Sequence, residues 1–234
     1  MSRSSPELRR RFSLSSDAAA QIAVLLGLLA KPDAPTSVHA AKCAADVHIA
    51  DALAGLEVTE ICEAAMIADL GAGAGVPGLV LASVLPRARV VLVDSAKRKC
   101  EFMRAAAAAM GVDNAEVVWG RVEEWRDGFG RCDVVSARAL AALPVLCEYA
   151  APLLREGGVL VAWKGAVEEQ EAADARAAAA HLGLMPEPVR SVVPYGGSER
   201  RTLHVLRKIS PTPSQFPRRA GIATKRPLSA KNLP

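Results

Sequence analysis

The sequence predicts an α/β fold in which a mainly parallel sheet of seven strands carries helices on both faces and has one antiparallel edge. From residue 66 onward, short β-rich runs alternate with Ala-rich helical runs, a pattern typical of parallel strands joined by helices. The last two strand-like runs, 189–193 and 202–208, have no long helix between them. We therefore expect these two strands to pair antiparallel.

The predicted elements follow in chain order. Two N-terminal helices are expected over 17–30 and 40–54, the first capped by Ser16 or Asp17 and ended before Pro32. Strands are predicted over 66–70, 90–93, 116–119, 132–136, 159–163, 189–193 and 202–208, with helices over 78–85, 96–110, 144–154 and 167–182. This divides the chain into a helical extension (1–60), a main domain (61–209) and a basic, Pro-rich tail (210–234) that we expect to be mobile or extended until it binds a partner.

The composition indicates a globular protein with basic ends. Of the 234 residues, 51% are hydrophobic and 23% are charged, with a formal net charge of +4. Residues 210–234 carry five Lys or Arg and no Asp or Glu, which suits a polyanion such as nucleic acid, although solvated tails without a target would show the same pattern. No apolar stretch reaches the ~20 residues of a membrane span.

The cysteines and the N-terminus predict a cytoplasmic protein without a metal site. The five cysteines are scattered, with no C-x-x-C pair, which favours a reducing compartment and argues against zinc. The apolar run 22–30 imitates a signal peptide, but Asp17 and Gln21 interrupt the approach, and Lys31-Pro32 stand where cleavage would occur.

A glycine-rich turn between the first predicted strand and its helix is the strongest functional signal. It reads Asp69-Leu-Gly71-Ala-Gly73-Ala-Gly75-Val-Pro-Gly78, and glycines there let the backbone pass close under a cofactor. From Gly73 it also matches G-x-G-x-x-G, so a dinucleotide dehydrogenase must be considered. A phosphate-binding P-loop is excluded because no Lys-Ser/Thr follows the glycines.

Three features favour S-adenosylmethionine over a dinucleotide. Asp69 stands two residues before Gly71, where a carboxylate suits an amino group and a sulfonium but not a pyrophosphate. Asp94 ends the second strand, 94 − 71 = 23 positions after Gly71, and suits the ribose hydroxyls of either cofactor. The Tyr-x-x-x-Lys pair and the second domain of many dehydrogenases are missing. The sequence therefore predicts methyl transfer.

Elimination narrows the set of candidate methyl acceptors. An exocyclic amine usually requires an Asn/Asp-Pro-Pro-aromatic turn, and the chain has no Pro-Pro. Cytosine C5 requires a thiolate, but Cys132 and Cys147 fall in a predicted strand and helix. A ring nitrogen with a free lone pair, such as guanine N7, requires no base, so we predict no catalytic acid or base.

Several segments together resemble the bacterial 16S ribosomal RNA guanine-N7 methyltransferases, the RsmG or GidB family. His48-x-x-Asp51 is similar to the family's His-x-x-Asp-Ser-Leu helix, whereas Ala34-Pro35-Thr36-Ser37 stands where members carry Asn-Leu-Thr. The other matching segments are 69–78, 93–95 with 97–99, 120–124, 132–139, 157–165, 199–208 and 215–228. The resemblance implies a class I S-adenosylmethionine-dependent methyltransferase with a Rossmann-like fold, acting on N7 of a guanine in small-subunit ribosomal RNA.

The resemblance also implies roles for individual residues. The cofactor-binding residues would be Asp69, Gly71, Gly73, Gly75, Val76, Asp94, Val122, Glu123 and Arg138, with Asp94 at the ribose, Val122 and Glu123 beside the adenine, and Arg138 next to the target base. The RNA-binding residues would be Lys164, Arg200, Arg218, Arg219, Lys225 and Arg226. The partner would be small-subunit ribosomal RNA or a ribosomal particle, and the protein would be a monomer.

Structural alternatives stand beside these roles. Val122 could be a core residue, and Glu123 could form a buried ion pair with Arg138. His48 and Asp51 are expected to hold the N-terminal helix on the domain rather than to act in catalysis. Two rival functions also remain open: a class I methyltransferase with another substrate, and a non-catalytic RNA- or ribosome-binding protein of the same fold.

Overall fold

A computed structural model describes residues 4–39 and 45–233 and confirms the predicted α/β fold. The first five strands form a parallel sheet in the order β3-β2-β1-β4-β5, and β8 lies antiparallel to β5. The strands are β1 (Met66–Leu70), β2 (Arg89–Asp94), β3 (Ala115–Trp119), β4 (Cys132–Arg138), β5 (Leu154–Lys164), β6 (Leu184–Pro186), β7 (Arg190–Val192) and β8 (Arg201–Lys208).

The outer edge of the sheet consists of two short strands instead of the single strand predicted over 189–193. β6 and β7 both pair antiparallel with β8, from Leu184 opposite Lys208 to Val192 opposite Arg201. Pro188 lies between them and has no N–H to donate to the ladder, so the edge is interrupted there. The antiparallel edge is confirmed, and β6 and β7 together fill the seventh position.

The helices confirm the alternation predicted downstream of residue 66. They are α1 (Ser4–Arg11), α2 (Ser16–Leu29), α3 (45–57), α4 (Thr59–Glu63), α5 (Gly78–Val84), α6 (Lys97–Met110), α7 (Leu143–Ala150), α8 (Glu169–Leu182) and α9 (Ile222–Lys225). None of these helices, within the residues described, is long and apolar enough to cross a membrane.

The N-terminal helices differ from the prediction in their details. The side chain of Ser15 caps α2 by accepting from the Ala18 N–H, so the cap lies one residue before the predicted one. The first part of the predicted helix 40–54, residues 40–44 with Cys43, lies outside the described residues. Arg3 of the basic N-terminus also lies outside them. The remainder of the predicted helix is α3, which is π-helical over Ala45–Ala50, α-helical over Asp51–Leu53 and 3-10 helical over Ala54–Glu57.

Two hydrophobic clusters lie on the two faces of the sheet. One joins the sheet to α2, α3, α5 and α6, with Leu25, Leu29 and Leu53 fully buried. The other joins it to α7, α8 and the C-terminal tail. The apolar stripe of α2 predicted from its helical spacing therefore packs into the core of the main domain, although the division at residue 60 stays a prediction.

The C-terminal tail is packed against the main domain, which corrects the expectation that it is mobile or extended until it binds a partner. Phe216, Ala223 and Leu228 are buried in the cluster with α7 and α8. The Arg218 guanidinium binds the fully buried carboxylate of Glu148 on α7 through Nε at 2.9 Å and Nη2 at 2.5 Å. The Pro-rich composition was the basis of that expectation, but this ion pair and three buried apolar residues hold the tail in place.

Candidate active site

The glycine turn follows β1 and has the left-handed backbone that glycine allows. Gly71, Gly73 and Gly75 have φ values of +62°, +60° and +82°. A Cβ atom on Gly71 or Gly75 would come within 2.5 Å of a leucine side chain, Leu140 or Leu79. A Cβ on Gly73 would approach no atom closer than 3.7 Å. Gly73 therefore faces open space, as a cofactor-binding turn requires.

Asp69 lies beneath this turn and is fully buried. Its Oδ2 accepts the Gly78 N–H at 2.9 Å, and its Oδ1 accepts the Ser136 hydroxyl at 2.9 Å. Burial raises the pKa of Asp69 to about 6, although these two hydrogen bonds lower it. Both oxygens are engaged by the protein, so the observed contacts of Asp69 support the turn and the start of α5 from below.

Asp94 ends β2 and connects the loops on either side of it. Its Oδ2 accepts the Gly73 N–H and its Oδ1 accepts the Ala96 N–H, both at 2.9 Å. Lys99 Nζ lies 3.9 Å from Oδ2. Each carboxylate oxygen retains lone pairs beyond these contacts, so Asp94 can still accept from a ligand.

Two adjoining cavities open at the carboxyl ends of the parallel strands, where ligands bind in open α/β sheets. The β2 cavity, about 300 Å³, is lined by Asp94, Gly120, Val122, Glu123 and Tyr149 among others. The α3 cavity, about 360 Å³, is lined by Thr36, Asp51, Gly73, Val76, Arg138 and Arg201 among others. Gly71, Lys99 and Ala139 line both.

The predicted cofactor residues are thus distributed over both cavities. Val76 lines the α3 cavity, and Gly75 shapes the turn without being among the residues that line either. Val122 belongs to the hydrophobic core and also lines the β2 cavity. The alternative pair between Glu123 and Arg138 is not formed, because Glu123 Oε1 accepts the Gly221 N–H of the tail at 2.8 Å.

Arg138 instead pairs with Asp51. Its Nη1 lies 2.9 Å from Asp51 Oδ2 and 2.7 Å from the Val47 carbonyl oxygen, and its Nη2 lies 3.4 Å from His48 Nδ1. The side chains of Arg138 and Asp51 are 15% and 1% exposed. The tip of β4 is therefore tied to α3 by a mostly buried ion pair.

His48 joins this ion pair to the loop before α3. Its Nε2 lies 3.1 Å from Thr36 Oγ1 and 3.3 Å from the Val38 carbonyl oxygen. Burial, followed by the positive charge of Arg138, lowers the pKa of His48 below its usual 6.5. A neutral ring that accepts from Arg138 at Nδ1 and donates from Nε2 satisfies every contact. His48 thus anchors the N-terminal region, as expected.

Two of the six predicted RNA-binding residues are engaged inside the protein. Lys164 Nζ lies 2.7 Å from Glu171 Oε1, and Arg218 binds Glu148 as described above. The other four side chains lie on exposed residues: Arg200, Arg219, Lys225 and Arg226.

Sequence reasoning missed Thr36, Lys99 and Arg201 as cavity residues and gave Asp51 only an anchoring role. The His48-x-x-Asp51 spacing was the available signal for Asp51. No sequence signal was available for Arg201, because it reaches the cavity from the start of β8, more than 60 residues beyond Arg138.

The sheet order, the glycine turn after β1 and the acidic residue that ends β2 define a class I methyltransferase. The solved structure of a predicted O-methyltransferase from Agrobacterium tumefaciens, Atu636, is similar, with a TM-score of 0.52 and 26% identity over 69% of this chain and 81% of that chain.

The particular family follows from sequence. The family model described as rRNA small subunit methyltransferase G matches residues 25–201, and this chain belongs to that family. Proteins named ribosomal RNA small subunit methyltransferase G are 43% identical in Rubrobacter xylanophilus, over 77% of this chain and 72% of the relative, and 40% identical in Deinococcus radiodurans, over 89% and 85%.

Proposed function

We propose that this protein transfers a methyl group from S-adenosylmethionine to N7 of a guanine in small-subunit ribosomal RNA. The observation that carries the proposal is the pair of adjoining cavities at the carboxyl edge of the sheet, which share Gly71, Lys99 and Ala139. Two ligands can lie side by side there, as methyl transfer between a nucleoside cofactor and a nucleobase requires.

The residues of the β2 cavity fit the cofactor. The Asp94 carboxylate can accept from ribose hydroxyls, and the open space at Gly73, which lines the adjoining α3 cavity, admits a ligand against the backbone. Val122 offers an apolar wall for the adenine, and Glu123 is held at the same wall by Gly221. Asp69 would act on the cofactor through the turn that it supports. Bound there, S-adenosylmethionine supplies an electrophilic methyl group on a sulfonium.

The α3 cavity suits an acceptor that loses no proton. Both ring nitrogens of His48 are in contact with the protein, and Asp51 is paired with Arg138. His48 is therefore not arranged as a general base, and Asp51 is held in an ion pair. Guanine N7 has an in-plane lone pair and no proton, so positioning suffices for its methylation. This supports N7 over an exocyclic amine.

The exposed cations support an RNA substrate. Arg200 is adjacent in sequence to Arg201 on the wall of the α3 cavity, and Arg219, Lys225 and Arg226 follow one another along the packed tail. We propose that these four residues contact phosphates while Lys164 and Arg218 stabilise the fold. The proposed setting is a cytoplasmic monomer acting on ribosomal RNA or a ribosomal particle, without a metal.

Transfer of labelled methyl groups tests the proposal. Small-subunit ribosomal RNA from cells that lack this protein is incubated with the protein and labelled S-adenosylmethionine, and its nucleosides are analysed. We expect label in 7-methylguanosine. Cofactor binding without label in RNA would indicate another substrate, and failure to bind the cofactor would indicate a non-catalytic protein.

A further inference from the structure

The α3 cavity contains a buried carboxylate with one oxygen unpartnered. Asp51 is fully buried, and its Oδ2 is engaged by Arg138 at 2.9 Å. Its Oδ1 accepts no hydrogen bond from any residue that the structure describes, and Arg201 Nε lies beyond good hydrogen-bond distance at 3.4 Å. Buried carboxylate oxygens are almost always hydrogen-bonded, so an unpartnered one on a cavity wall points to a donor supplied by a ligand.

Several contacts hold Asp51 in place. The indole Nε1 of Trp163 on β5 donates to the Asp51 carbonyl oxygen at 2.9 Å. Gly55 packs so closely on the Trp163 ring that a Cβ atom there would lie 2.3 Å from it. Arg138 also donates to the Val47 carbonyl oxygen one turn earlier in α3. The carboxylate is therefore preorganised for a ligand.

We infer that Asp51 is the residue that recognises the target guanine, by accepting hydrogen bonds from its N1–H and N2–H groups. This inference rests on the proposed function. Guanine alone among the four RNA bases carries two adjacent N–H donors on its Watson–Crick edge. Adenine and cytosine pair one donor with one acceptor there, and uracil has a single donor between two carbonyls, so each would place an acceptor near the carboxylate.

The cations beside Asp51 complement the rest of the same edge. Guanine O6 is an acceptor next to N1, and the guanidinium groups of Arg138 and Arg201 both contact the Asp51 carboxylate in the α3 cavity. A carboxylate flanked by arginines therefore matches the acceptor–donor–donor order of O6, N1 and N2. N7 lies on the opposite side of O6 and stays free to react.

The same contact assists the reaction. The N7 lone pair forms the bond to the methyl carbon as the carbon–sulfur bond breaks, and that bonding pair remains on sulfur. No proton leaves, so guanine acquires a positive charge and its N1–H becomes a stronger donor. The hydrogen bond to Asp51 thus strengthens in the transition state, which raises the rate of transfer as well as the affinity for guanine.

A purely structural role for Asp51, neutralising Arg138 and Arg201, predicts different behaviour toward modified RNA. Inosine keeps N7, O6 and N1–H but lacks the N2 amino group. Once the methylated nucleotide has been mapped, small-subunit ribosomal RNA is assembled by splinted ligation with guanosine or inosine at that position. Single-turnover transfer and RNA affinity are then measured for the full-length wild type and for Asp51→Asn.

For the wild type we expect inosine RNA to react about 10- to 100-fold more slowly than guanosine RNA, because a buried acceptor loses its partner. Asp51→Asn should slow guanosine RNA by about 100-fold and bring the guanosine/inosine ratio to within about threefold of unity, with binding of S-adenosylhomocysteine unchanged. Asp113→Asn, at an exposed aspartate after α6, is the matched control and should retain the wild-type ratio.

Equal rates on the two RNAs with the wild type would overturn the assignment, and this comparison needs no variant to fold. So would an Asp51→Asn protein that binds S-adenosylhomocysteine and keeps the wild-type ratio. Failure of the proposed function has a separate signature, since the wild type would then transfer no methyl group to either RNA.

Discussion

The β2 cavity and the α3 cavity lie side by side but are built in different ways. The β2 cavity shares with the α3 cavity a wall that depends on backbone conformation, because Gly71 lines both cavities and the left-handed glycine turn is connected to Asp94 by the Gly73 N–H. The α3 cavity depends on charged side chains brought from distant segments, with Asp51 between Arg138 and Arg201. The glycine turn is set by a few consecutive residues, whereas the charged cluster around Asp51 exists only after α3, β4 and β8 have packed together.

The comparison predicts different sensitivities. Added side-chain volume in the glycine turn should abolish cofactor binding, because the ligand lies against the backbone. Changes of charge should have little effect there unless the charge touches the ligand. In regions assembled by buried ion pairs, removal of one partner should be costly for stability.

The largest effect is expected for Gly73→Asp. The new carboxylate would extend into open space at the turn, close to Asp94, and should reduce S-adenosylhomocysteine affinity by about 100-fold or more through occlusion and loss of the preformed cradle. Calorimetric titration with S-adenosylhomocysteine measures this affinity. Gly111→Asp is the control, because Gly111 ends α6 with a similar φ of +67° and has open space around it. If both variants bound normally, the turn would not be the cofactor site.

The next largest effect is expected for Arg218→Ala in the tail, which is held by an ion pair as α3 is. It leaves the buried Glu148 carboxylate without its guanidinium, so we expect a loss of about 3 kcal/mol. In a chain of this size the melting temperature should fall by about 6–12 °C.

The exposed neighbour of Arg218 supplies the matched control. Arg219→Ala should leave the melting temperature within about 2 °C but reduce the salt dependence of RNA binding, by about 0.7–0.9 in the log–log slope for a lost phosphate contact. Should Arg218→Ala instead lower the slope and spare stability, the two residues would have exchanged roles.

The sequence predicted the parallel strands and the glycine turn well because both have local signals. β1 is an apolar run followed at once by glycines, and α6 ends at Gly111. The packed tail was missed because its stability comes from Glu148, 70 residues away from Arg218. The α3 cavity was missed in part for the same reason, since nothing near Arg201 in sequence indicates that it faces Asp51.

Asp69 tests whether the glycine turn binds its ligand through the backbone rather than through a buried charge. In Asp69→Asn, the amide oxygen can still accept from Gly78 and the amide nitrogen can donate to Ser136. We therefore expect S-adenosylmethionine affinity within about threefold of wild type, whereas Asp69→Ala should lose about 1–3 kcal/mol of stability through the unpaired Gly78 N–H. A 100-fold loss of affinity in the stably folded Asn variant would instead establish the direct charge contact predicted from sequence.

The smallest effect concerns His48 and the pH dependence of stability. Because burial and Arg138 lower its folded-state pKa below 6.5, the unfolded chain is protonated first as the pH falls. Its stabilising contribution is full above about pH 6.5 and is lost as the pH falls through the folded-state value. Asp69, with a pKa raised to about 6, acts in the opposite direction.

Urea unfolding at pH 7.5 and 5.5 measures the contribution of His48. We expect His48→Gln, which keeps a donor near Nε2, to lose less stability on acidification than the wild type. His204, whose pKa is also lowered, is present in both proteins and contributes equally to both. An identical loss in the two proteins would mean that the α3 cavity tolerates a protonated His48 beside Arg138.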